Sequence, residues 1–268
     1  MTDTHITLVG AGRMGSALAG GWLKAGHDGN IDIVDPTPAE IVQTWATEKR
    51  VRLNPDPKAS DVLVVAVKPQ VFGKLADEIA ARVGPDTRVL SIMAGVTLET
   101  LEAKLGTSNV ARAMPNTPGL VGKGVTILCT KQGTTDGAIS ELKSLLEPLG
   151  QVEGPIGEDL LPAATAISGC GPAYGFLLAE VMAAAGIAHG LAPELSMRLA
   201  RKTVEGAGAL MEGSEEDAAT LRKNVTSPNG VTQAALEVLM SPEAMPSVFK
   251  KAVGAAIARD IALSKETE

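Results

Sequence analysis

Aromatic residues make up only 2% of this chain: two Trp, one Tyr and three Phe among 268 residues. A core of any size must therefore be built from Ala, Val, Leu, Ile and Met, which suits helices packed closely through small side chains. Basic runs are equally scarce. None exceeds three residues and the net charge is −7, which argues against nucleic acid as a partner. The two cysteines, Cys129 and Cys170, have neither metal-type nor CxxC spacing, so no metal site and no disulfide is expected. His5, His27 and His189 are scattered and read as surface or structural residues. Met1 to His5 is polar, which leaves no signal peptide, and no apolar run reads as long enough to span a bilayer. The expectation is a cytoplasmic protein that binds neither a membrane nor a metal.

What the chain does have is Ile6 to Gly15, Ile-Thr-Leu-Val-Gly-Ala-Gly-Arg-Met-Gly. Ile6, Leu8 and Val9 read as a short strand, Gly10, Gly12 and Gly15 follow, and Ala17 to Ala25 opens a helix. This is the dinucleotide-binding pattern in its required context. Gly10 permits the tight turn, Gly12 admits a pyrophosphate to the backbone, and Gly15 lets helix and strand approach. The free amides and dipole of the helix N-terminus then hold the anion. Asp35 ends the next strand, 20 residues after Gly15, where a carboxylate accepts hydrogen bonds from the adenosine ribose.

The pattern continues with strands at Asp61–Val67, Val89–Met93, Val110–Met114, Val125–Cys129 and Gln151–Val152. Helical periods lie between them over 38–49, 71–82 and 135–149. Strands alternating with helices imply a doubly wound, mostly parallel sheet over residues 1–156, with ligands at the carboxyl ends of the strands. The interruptions at Gly10–Gly15, Asp35, Lys68-Pro69, Met93-Ala94-Gly95 and Met114–Pro118 share that edge. Lys68-Pro69 taken alone reads equally well as a plain turn.

From about Gly157 the chain reads as helices only, giving a second domain over 157–268. Gly169-Cys170-Gly171-Pro172 interrupts the first apolar stretch, and Ser214 reads as the N-cap before Glu215-Glu216-Asp217. Small-residue runs such as Ala183-Ala184-Ala185-Gly186 favour a helical dimer interface over a self-contained bundle. The polar loop Thr226–Thr232 lies between two helices.

No histidine sits in a cleft loop, so a strong proton donor is missing. An imine that arrives protonated needs none. It needs orientation and a grip on its carboxylate, which Ser227, Thr232 and the amides around Asn229-Gly230-Val231 can supply.

With these residues assembled, the chain resembles the pyrroline-5-carboxylate reductases over essentially its full length. The resemblance rests on Gly10-Ala11-Gly12-Arg13-Met14-Gly15, Ala66-Val67-Lys68-Pro69-Gln70 and Met114-Pro115-Asn116-Thr117-Pro118. In the helical part it rests on Ile167–Tyr174 and on Thr226-Ser227-Pro228-Asn229-Gly230-Val231-Thr232. It implies a Rossmann-type α/β domain followed by an all-helical C-terminal dimerisation domain. It also implies reduction of 1-pyrroline-5-carboxylate to L-proline by NADPH or NADH, in homodimers that can assemble into a larger ring such as a decamer. The implied substrate residues are Ser227, Asn229, Gly230, Val231 and Thr232, with Met114 and Asn116; Thr232 is the hydroxyl near the ring nitrogen. The implied cofactor residues are Gly10, Ala11, Gly12, Arg13, Met14, Gly15, Ala66, Val67, Lys68, Pro69, Met93, Ala94 and Gly95. Asp35 and Asn54 are counted with them.

The chain departs from the family pattern in three places. Asn229 replaces a glycine in a loop that usually reads Ser-Pro-Gly-Gly-Thr-Thr, and Val231 replaces the residue before its last threonine. Cys170 stands where Ser is common. After the second strand the chain offers Asp35-Pro36-Thr37-Pro38 and no basic residue until Lys49. A carboxylate there repels a 2′-phosphate, so NADH is expected to be used at least as well as NADPH. Two other readings stand beside this one. A 3-hydroxyacid dehydrogenase of the same design would need Lys202 or Lys223 as its acid and base, and a nucleotide sensor would bind without turnover.

Overall fold

The computed structural model describes residues 4–27 and 29–267. The first strand and helix are β1 (Ile6–Val9) and α1 (Arg13–Lys24), followed by β2 (Ile31–Val34), α2 (Glu40–Thr47), β3 (Arg52–Leu53) and β4 (Val62–Val65). Next come α3 (Pro69–Ala80), β5 (Arg88–Ser91), α4 (Leu98–Leu105), β6 (Val110–Met114), β7 (Gly124–Thr130), α5 (Asp136–Leu146) and β8 (Gly150–Ile156). The helical part comprises α6 (Leu161–Ala164), α7 (Gly171–Ala188), α8 (Pro193–Glu212), α9 (Ala218–Asn224), α10 (Val231–Leu239) and α11 (Met245–Thr267). Two compact units result. One runs to Cys170 and takes back Ala256 onward; the other is Gly171–Ala255.

In the first unit the eight strands form one sheet in the order β3-β2-β1-β4-β5-β6-β7-β8. All neighbours are parallel except β6 and β7, which pair antiparallel. Strand alternation splits the core between the two faces. Val62 and Val64 join Ile6, Leu8, Ile31 and Trp22 on one, whereas Leu63 and Val65 join Val9, Phe72 and Ile79 on the other. The indole of Trp22 donates to the Leu145 carbonyl at 2.7 Å, so α1 is tied to α5 without an unsatisfied buried N–H. At the starting edge of the strands, buried Asp32 accepts from Arg52 Nε at 2.5 Å and also meets His5 Nε2 at 2.8 Å. The strand order reverses direction at β1, which sets the ligand crevice beyond its carboxyl end.

In the second unit α7 and α8 lie side by side. A Cβ on Gly186 would come within 2.2 Å of Ser196 Oγ, and that hydroxyl donates to the Ala183 carbonyl at 2.8 Å. Small residues are what allow this approach. Tyr174 and Phe249 meet edge to face at 5.7 Å. Much of α7 stays uncovered, with Phe176 70% exposed and Leu177 and Val181 more than half exposed.

Two expectations are corrected. Glu158–Ala188 is helical over 31 residues and contains an 18-residue window of mean hydropathy 1.4, long and apolar enough by length and composition to cross a bilayer. Gly169-Cys170-Gly171-Pro172 does not break it, because a single π turn at Thr165–Gly169 carries the helix through. Ser214 is not the cap of α9. Asp217 is, its carboxylate accepting from Thr220 N at 2.7 Å, while Ser214 Oγ accepts from Glu216 N in the preceding turn.

Candidate functional site

Beyond the end of β1 the chain turns on Gly10, whose φ of +94° is open to glycine at little cost. A Cβ there would lie 2.7 Å from the Ala66 backbone, and one on Gly15 would lie 2.2 Å from the Gly10 carbonyl oxygen. These two glycines serve packing. Gly12 differs: a Cβ there would meet nothing within 4 Å. It caps α1 with no side-chain hydrogen bond, so the first amides of α1 remain available to an anion.

Asp35 holds this loop in place. Its Oδ2 accepts from Ala11 N at 2.7 Å and its Oδ1 from Thr37 N at 2.8 Å. Asn54, at φ +49°, clasps Asp35 from the other side. Its Oδ1 accepts from Asp35 N at 2.9 Å and its Nδ2 donates to the Asp35 carbonyl at 3.0 Å. Three residues past β4, Lys68 caps α3 and borders the cleft, and Pro69 opens the helix at its first position.

Gly10, Gly12, Asp35, Asn54, Ala66, Val67 and Lys68 together line a cavity of about 910 Å³. That size suits a cofactor. The available helix amides, the bare face at Gly12 and a carboxylate at the end of β2 fit a dinucleotide. The remaining candidates of this group do not line the cavity. Ala11 reaches it only through Asp35, Met14 packs on the core, and Arg13 borders a separate groove with Ile41 and Trp45. Met93 is buried, Ala94 is exposed, and Gly95 at φ +73° lies against the backbone of Leu263. Thr37, Pro55, Val71, Leu75 and Arg82 also line the cavity. Nothing in the sequence marks them: Val71 and Leu75 repeat at helical spacing with Ile79, as core residues do.

Met114 and Asn116 are both buried, at the end of β6. The Asn116 amide is spent on the chain itself, donating to the Ser168 carbonyl at 2.8 Å and accepting from Val125 N at 2.9 Å. It ties the strand end to the π turn.

The second unit carries Thr226–Thr232. Thr226 Oγ1 donates to the Arg222 carbonyl at 2.6 Å, and Gly230 N donates to the Ser227 carbonyl at 3.0 Å. Asn229 takes the left-handed conformation at φ +58°, which Asn tolerates better than most residues. Its amide donates to Gln233 Oε1 at 2.7 Å. Gly230 caps α10 without a side-chain bond, which leaves the amides of Val231 and Thr232 at an open helix N-terminus. Val231 is 91% exposed, and Ser227 and Thr232 are exposed too. Lys202 instead sits in a surface ion pair with Glu205 at 2.8 Å.

Residues 158–263 match the family model for pyrroline-5-carboxylate reductase dimerisation, and residues 5–95 match that for NADP oxidoreductase, coenzyme F420-dependent. The pyrroline-5-carboxylate reductase of Pseudomonas aeruginosa is 34% identical across 99% of both chains. The chain belongs to the pyrroline-5-carboxylate reductase family. The pyrroline-5-carboxylate reductase 2 of Bos taurus is 36% identical over 88% of this chain and 77% of its own. A solved pyrroline-5-carboxylate reductase from Coxiella burnetii superposes with a TM-score of 0.89 at 31% identity, covering 97% of this chain and 98% of that one. The Plasmodium falciparum pyrroline carboxylate reductase, solved with NADP bound, gives 0.81 at 29% identity, covering 98% of this chain and 99% of that one. A 3-hydroxyisobutyrate dehydrogenase from Mycobacterium tuberculosis shares 15% identity at a TM-score of 0.51, a likeness of fold alone.

Proposed function

We propose that this member of the pyrroline-5-carboxylate reductase family reduces 1-pyrroline-5-carboxylate to L-proline, the last step of proline biosynthesis. Residues 1–156 would serve the cofactor and residues 157–268 the dimer and the substrate. The observation that carries the reading is the open N-terminus of α10 with Thr232 in its first turn. A substrate carboxylate fits the amides of Val231 and Thr232 and the hydroxyl of Ser227. Gly230 shapes that turn and Asn229 braces it through Gln233. The Thr232 hydroxyl accepts from the protonated ring nitrogen and so orients the C=N bond. NADPH or NADH, when bound, supplies a hydride to the carbon of that bond. The nitrogen keeps its proton and becomes the amine, so no side chain need donate one.

Gly10, Gly12, Asp35, Asn54 and Ala66–Lys68 would hold the cofactor. Both Asp35 oxygens are fixed by backbone amides, so the carboxylate cannot swing away from a 2′-phosphate. This supports NADH being used at least as well as NADPH. The exposed apolar face of α7 supports pairing with a second copy of the chain, and a ring of such dimers is the larger assembly we infer. The two free thiols suit a reducing cytoplasm.

The test separates this reading from a hydroxyacid dehydrogenase. Thr232→Ala should lower kcat/KM for the imine by about 10²-fold, in line with the loss of one positioned polar contact. Lys223→Ala should leave turnover near that of the unaltered enzyme. The reverse pattern would sink the reading.

A further inference from the structure

The cavity also holds a cation whose hydrogen bonds are incomplete. Arg82, two residues past α3, lines the cavity and is only 3% exposed. Its Nη2 donates to the Pro55 carbonyl at 3.2 Å, whereas Nε and Nη1 are buried without a hydrogen-bond partner. A buried guanidinium left this way is costly unless something completes it. Its position follows from a chain of short contacts. Asn54 clasps Asp35 at the ribose position, Pro55 adjoins Asn54, and the Pro55 carbonyl meets Arg82.

We propose that Arg82 is a cofactor-binding residue that donates to the ring nitrogens of the adenine. The proposal rests on the reading of this cavity as the dinucleotide site. The surroundings favour a base over a phosphate. The lining that Arg82 shares carries Val71, Leu75 and Ile79 from α3 and Pro55 and Pro57 from the segment after β3, with the carboxylates of Asp56 and Glu78 among them. A flat ring with acceptor nitrogens suits such a slot. A phosphate dianion would lose solvation there and would face the carboxylates of Asp35, Asp56 and Glu78, which line the same cavity.

The test uses the full-length protein, Arg82→Met and Arg82→Lys. It compares fluorescence titrations with NADH, NADPH and dihydronicotinamide mononucleotide, which lacks the adenosine half, and melting curves without nucleotide. Arg82→Met should weaken NADH binding about tenfold or more, the loss of one strong polar contact. Binding of the mononucleotide should stay unchanged. Melting without nucleotide should not drop, because an incompletely paired buried cation has been removed. Arg82→Lys should fall between. Unchanged NADH affinity overturns the proposal. So does a lower melting temperature with parallel losses for NADH and the mononucleotide, which marks Arg82 as a loop brace. A loss for NADPH far exceeding that for NADH would assign Arg82 to the 2′-phosphate instead. An unaltered protein that binds none of the three ligands overturns the dinucleotide reading itself, and this proposal with it.

Discussion

The Asp35 carboxylate accepts the Ala11 amide at 2.7 Å, so the acid that ends β2 also fastens the glycine loop that follows β1. One residue thereby sets the loop's shape and presents negative charge to whatever the loop binds.

Asp35→Ser keeps a small acceptor but removes that charge. The ratio of kcat/KM for NADPH over NADH should rise by at least about tenfold, the effect of lifting one close charge repulsion. Steady-state kinetics with each cofactor checks this, and an unchanged ratio removes Asp35 from cofactor choice.

The glycines should separate into two behaviours. Gly15→Ala drives a Cβ to within 2.2 Å of the Gly10 carbonyl oxygen and should destabilise the fold by about 1–3 kcal/mol. Gly12→Ala has open space around it and should melt as the unaltered protein does, while losing nucleotide affinity. Thermal melts paired with nucleotide titrations distinguish them, and matching losses of stability would contradict the division.

His27 is buried with Nδ1 unpartnered, and desolvation holds its imidazole pKa below the ordinary value of 6.5. Below pH 6.5 the unfolded chain binds a proton that the folded state resists, so stability falls as the pH drops. Melting temperatures at pH 7.5 and 5.5 should show this decline, and His27→Gln should flatten it. Equal slopes would contradict the assignment.

The two thiols should react unequally. Burial, with Glu158 adding to it, pushes the Cys129 thiol up to about 11, while Cys170 is half-buried. A thiol-exchange reagent at pH 8 should titrate Cys170 in the folded protein and Cys129 only after unfolding. Rapid labelling that persists in Cys170→Ser would contradict this.

Much of the site was legible in the sequence because its demands are local. The left-handed turn at Gly10 and the close approach of Gly15 to the Gly10 carbonyl each require glycine for a reason confined to neighbouring backbone. The Asn229 turn is legible in the same way. Other features depend on partners distant in the chain. β3 is two residues long and exists only through its pairing with Asp32 and Ile33. β7 carries an apolar run like the parallel strands of the sheet; its reversal follows from the short Met114–Gly124 connection, which cannot hold a crossover helix. Ser214 and Asp217 are both capping residue types, and only the helix start decides between them. Arg82 joins the cavity because segments distant in the chain meet there.

The most direct test of the central claim is an assay of the purified enzyme with 1-pyrroline-5-carboxylate and either NADH or NADPH in separate reactions. It should follow both the loss of reduced nicotinamide and the appearance of proline. Stoichiometric proline formation, at least as efficient with NADH as with NADPH, is the predicted result. Binding of a cofactor without any turnover of the imine would contradict the reductase assignment.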